Sequence, residues 1–67
     1  VNFVAIKTLN LVEGDTVVTA QGTFVVVWQD VLDPDTVDIV WLETQRRECM
    51  WLEDSVYGPV EVHRKRA

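Results

Sequence analysis

The chain predicts a small all-β protein, with five to six short antiparallel strands curling into a barrel and one 3-10 turn before the last strand. Three observations carry this expectation. Apolar, valine-rich runs recur at short intervals: Val17-Val18, Phe24-Val25-Val26-Val27-Trp28, Val37-Asp38-Ile39-Val40-Trp41-Leu42 and Cys49-Met50-Trp51-Leu52. Turn-forming groups separate them, namely Glu13-Gly14-Asp15, Gln21-Gly22 and Asp33-Pro34-Asp35. The 67 residues, 48% of them apolar, allow one domain with a core but leave little chain to cover it.

Residues 1–6 alternate as a strand, with Phe3 and Ala5 on one side and Val4 and Ile6 on the other. Residues 1–12 are thus expected to add an extra N-terminal strand to a barrel spanning 13–62. Residues 15–20 form the next strand, and Gln21-Gly22 the hairpin turn, because glycine accepts positive φ. Residues 23–31 make a long strand able to bend across the barrel. After the Asp-Pro-Asp turn, residues 36–44 and 47–53 form the clearest hairpin. A two-residue loop, Gln45-Arg46, pairs Trp41 with Met50 and Val40 with Trp51, but sets Glu43 against Glu48. A loop one residue different pairs Glu43 with Arg47; the cleaner separation of apolar groups favours the first register. Residues 54–58 read as the single 3-10 turn, opened by Asp54 and closed by Gly58. Pro59 then introduces a short last strand over 60–63, and residues 63–67 are a basic tail.

Charge bounds the partners. Residues 1–62 hold eleven carboxylates against Lys7, Arg46 and Arg47, a net −8, whereas Arg64, Lys65 and Arg66 give the tail +3. An acidic body repels phosphate backbones, so nucleic acid is disfavoured as a partner. A single cysteine, Cys49, forms no disulfide within the chain and fits a reducing, cytoplasmic setting. The sequence has no signal-peptide pattern and no apolar run near the ~18 residues of a membrane helix, so no membrane association is expected.

No catalytic constellation is legible. His63 is the sole histidine and stands beside Arg64; Cys49 lies in a strand without an activating motif; Ser55, Thr16 and Thr19 lack catalytic neighbours. Asp30, Asp33, Asp35 and Asp38 crowd one loop, but their spacing suits turn capping rather than a calcium loop. The expectation is a non-enzyme without metal or cofactor.

The segment Glu13-Gly14-Asp15-Thr16-Val17 resembles the Gly-Asp-x-Val entry of SH3-like small barrels of the Tudor and KOW type. The stretch from Trp41 to Asp54 is similar, without gaps, to the Tudor pattern of aromatic, x, acid, Tyr-Gly-Asn, x, Glu, x, apolar, x, Leu, x, Asp. Trp41, Glu43, Glu48, Met50, Leu52 and Asp54 fit it. The resemblance covers residues 13–62 and implies an SH3-like barrel fold. Where that family's methyl readers draw part of an aromatic cage from Tyr-Gly-Asn, this chain has Thr44, Gln45 and Arg46. A reader of a modified basic peptide would here use Tyr57, Trp51 and Glu43 instead. A KOW-like, nucleic-acid-associated module would use Arg46, Arg47 and the tail.

Strand alternation gives the functional expectation. It sends Ile39, Trp41, Met50 and Leu52 inward with Val17, Val26 and Trp28. The same rule sends Val25, Val27, Val40, Leu42, Cys49 and Trp51 to a second face. Either residues 1–12 cover that face, or it is an interface for a protein partner or a second copy of the chain, with Trp51, Val40 and Leu42 as anchors. The primary reading is a non-catalytic interaction or assembly module.

Overall fold

A computed structural model describes residues 3–64. The described chain is all-β apart from one 3-10 helix. Its strands are β1 (Val4–Ala5), β2 (Thr16–Thr19), β3 (Gly22–Gln29), β4 (Thr36–Trp41), β5 (Arg46–Trp51), β6 (Val56–Tyr57) and β7 (Glu61–His63). Five of them form an antiparallel sheet in the order β5-β4-β3-β2-β7, and β1 pairs with β6 in a separate two-stranded ribbon. β5 and β7 are edges, so the sheets are not closed into a barrel.

The inner face of the five-stranded sheet carries the core. Val17, Phe24, Val26, Val37, Ile39 and Met50 are buried there, joined by Ile6 and Leu11 from the N-terminal arm. Each such side chain contributes about 1.5–3 kcal/mol on burial. Leu52, Tyr57 and Val60 pack against the same cluster from the segment after β5. Phe24 meets Trp41 edge to face at 5.2 Å, an arrangement the ring quadrupoles favour.

Several expectations are corrected. The 3-10 helix lies at Ile6–Leu9, not before the last strand, and ends at Asn10 in the left-handed region. The expected strand over 1–6 is therefore cut to Val4–Ala5; Val1 and Asn2 lie outside the described residues. Residues 56–57 are drawn into β6 because β1 offers their backbone a ladder, and Ile6 N–H bonds to the Ser55 carbonyl at 2.9 Å. In the first hairpin the turn residues are Ala20 and Gln21, since Thr19 pairs with Gly22. A side chain at Gly22 would be strained by its φ of +140° and would push Glu43 aside, since a Cβ would sit 2.9 Å from Glu43 Oε1.

The β4–β5 hairpin adopts neither of the two anticipated registers. Trp41 pairs with Arg46, Val40 with Arg47 and Val37 with Met50, leaving a four-residue loop over 42–45. Gln45 takes φ 58° and closes the loop by donating its N–H to the Trp41 carbonyl at 2.7 Å. Relative to the favoured register the pairing has slipped by four residues. An even slip leaves every side chain on its original face, so Ile39, Trp41 and Met50 remain inward.

Trp28 does not. Val26 pairs with Ile39, but Trp28 pairs with Asp38, so Val27 is an extra residue in β3. This β-bulge reverses the alternation and leaves Trp28 49% exposed beyond the core.

Candidate interaction face

The second face of the sheet is assembled by the ladders themselves. Val25 of β3 lies between Thr16 of β2 and Val40 of β4, and Val40 faces Arg47 of β5. One row over, Trp28, Asp38 and Cys49 lie abreast, and beyond them Trp51 pairs with Thr36. Leu42 continues the parity of Asp38 and Val40 past the end of β4, held by its N–H to the Thr23 carbonyl at 2.8 Å. Adjacent strands are about 4.8 Å apart, so these side chains are neighbours. Arg47 pairs with Asp38 at 3.0 Å across β4 and β5 and places a neutralised charge pair within the face.

The residues expected at an interface share this surface. Val25, Val27 and Val40 are half-buried and Cys49 is exposed, while Leu42 and Trp51 are 44% and 59% exposed. The described part of the N-terminal arm, residues 3–12, turns away from them, and its Ile6 and Leu11 enter the inner core. Trp28 belongs to this face as well, put there by a bulge that no residue pattern marks.

A second feature was not anticipated. Val31 and Leu32, at the tip of the β3–β4 connection, are 88% and 90% exposed. The tip is braced from behind. Asp30 accepts the Leu32 N–H on its carboxylate at 2.8 Å and the Asp33 N–H on its carbonyl at 3.1 Å, an Asx-type turn. Asp33 in turn meets the Thr36 hydroxyl at 3.4 Å. Asp30 and Asp33 thus serve as turn caps, while Asp38 pairs with Arg47, and among the described residues no three metal-ligating side chains converge.

The alternative peptide-binding trio is not brought together. Tyr57 packs on Trp41 and Phe24, each with ring centroids 6.3 Å away. Trp41 donates its indole N–H to Glu48. Burial, then the nearby Glu48 carboxylate, raise the Tyr57 phenol above its ordinary value. Trp51 stands at the opposite end of β5, roughly 17 Å from the Trp41 end at strand spacing. Both Glu43 oxygens accept the Thr23 N–H at 3.0 Å. That bond, with one from its own backbone, holds the Glu43 carboxyl below the usual carboxylate range.

Elsewhere, Asp15 is buried and accepts Val12 N–H at 3.0 Å and Arg64 Nη1 at 2.7 Å. Arg64 also bonds the Leu9 and Asn10 carbonyls, strapping the N-terminal arm to the sheet. Lys65 and Arg66 of the expected basic tail lie outside the described residues. His63 is exposed beside Glu61 at 3.3 Å. A cleft of about 350 Å³ opens between Lys7, Asn10, Pro34 and Leu52. Among the described residues no helix is long and apolar enough to cross a membrane. No protein-family model, curated protein or solved structure matches the chain.

Proposed function

We propose that this chain is a non-catalytic protein-interaction or assembly module of SH3-like type that docks a protein partner, or a second copy of itself, on the outer face of its sheet. The observation that carries the reading is that Trp28, Leu42 and Trp51 stand 49%, 44% and 59% exposed on one face that no other described residue covers. Exposed contiguous apolar surface marks interaction sites, and Trp is enriched among their anchors. The SH3-like reading is supported by the strand order, in which the last strand returns beside the first strand of the β2–β5 meander. Trp51→Asp tests the reading. It should abolish association seen as excess mass by light scattering, or as capture of an amphipathic peptide by calorimetry. Association unchanged by Trp51→Asp would count against this face.

A second reading, a reader of a modified basic peptide, draws on the Trp41–Tyr57 ring pair with Glu48 beside it. Aromatic faces next to a carboxylate attract a cationic group. Titration with a trimethyl-lysine peptide, followed by tryptophan emission, tests it; a flat response rejects it.

A further inference from the structure

The two ends of the outer face differ in charge. Toward the β3–β4 loop stand Asp30 and Asp33, while Asp35 and Glu53 line the cleft behind, joined by Leu52 N–H on the Asp35 carbonyl at 2.8 Å. The cation paired there is Lys7, 3.7 Å from Glu53. Among the described residues none of Asp30, Asp33 and Asp35 pairs with a cation. Asp30 and Asp33 each use one carboxylate oxygen to brace the turn. The same end carries the exposed apolar side chains: Trp28 two residues before Asp30, Trp51 opposite the first residue of β4, and the Val31–Leu32 tip.

We propose that this end of the face docks a cationic amphipathic segment of another protein, with its apolar side chains on Trp28, Trp51, Val31 and Leu32 and its Lys or Arg side chains on Asp30 and Asp33. The inference rests on the reading of the outer face as an interaction surface and names the partner's chemistry. Charge decides among occupants. A second copy related by a two-fold axis through this end sets the acidic cluster against its own image, a like-charge juxtaposition that costs several kcal/mol. Anionic lipid headgroups and nucleic-acid phosphates are repelled by the same carboxylates. A segment with both apolar and basic side chains satisfies both features of the surface, and its cations steer the encounter.

The test is calorimetric titration of the whole chain with a synthetic peptide alternating Leu and Lys, against a Leu–Glu peptide of equal length. The Leu–Lys peptide should bind, the Leu–Glu peptide should not, and added salt should weaken binding. The double variant Asp30→Asn, Asp33→Asn keeps its turn-capping acceptors and should lose about tenfold or more in affinity. Trp28→Ala with Trp51→Ala should lose at least as much, and thermal melts confirm that each variant is folded. If the asparagine variant binds undiminished while the tryptophan variant does not, the cationic partner is wrong and the interaction face stands. Equal binding of both peptides, co-sedimentation with phosphatidylserine vesicles, or a dimer broken by Trp51→Asp would overturn the partner in the same way. Undiminished binding by the tryptophan variant removes the face itself.

Discussion

The inner and outer faces of the five-stranded sheet are built from alternate residues of the same strands, and both are rich in valine. On the inner face Val17, Val26, Val37 and Ile39 are closed over by the N-terminal arm and by the segment leaving β5. On the outer face Val25 and Val40 remain half-buried, with Trp28 and Trp51 open beside them. The difference lies in the path of the connections rather than in strand composition: among the described residues, the N-terminal arm and the segment after β5 both run over the inner side. Burial on the inner face makes the fold. Leftover apolar surface on the outer face is what the fold can offer to another molecule.

That contrast predicts opposite responses to mutation. The largest loss of stability belongs to the inner face: Phe24→Ala, removing a fully buried ring, should cost about 3–5 kcal/mol in a urea melt. Next comes the strap that holds the roof. Arg64→Ala takes a cationic partner from buried Asp15 and frees two carbonyls at the end of the arm, and should cost about 2 kcal/mol by the same measurement. On the outer face Trp51→Ala should change stability by no more than about 0.5 kcal/mol while weakening association severely, a separation that thermal melts and calorimetry together resolve. The smallest effect lies at the β4–β5 loop. Because Glu43's carboxyl is lowered in the folded chain, its contribution is present above the unfolded carboxylate range and is lost as pH falls through its depressed folded value. In melts across that acidic window, Glu43→Gln should remove a small step from the pH dependence.

Much of this division was legible in the residues. Alternation placed Val17, Val26, Ile39, Trp41 and Met50 inward and Val25, Val40, Leu42 and Trp51 outward, and it survived an incorrect hairpin register because the slip was even. The bulge at Val27 was not legible. Nothing in an unbroken run of three valines marks which one is extra, so alternation alone sends Trp28 to the core. Partner availability decided residues 54–58. Asp54 and Gly58 are plausible ends for a helical turn, yet the backbone of Val56 and Tyr57 found β1, a pairing between residues some fifty positions apart that local propensity does not encode. The Trp41–Tyr57 contact is hidden for the same reason, so the sequence does not join Tyr57 to the ring it touches.

Backbone amide chemical-shift mapping of the labelled chain, titrated with the Leu–Lys peptide, tests the central claim most directly. Perturbations confined to the outer-facing residues of β3, β4 and β5 and to the 30–35 loop are the expected result. Shifts gathered around Trp41 and Tyr57, or no shifts at all, would contradict it.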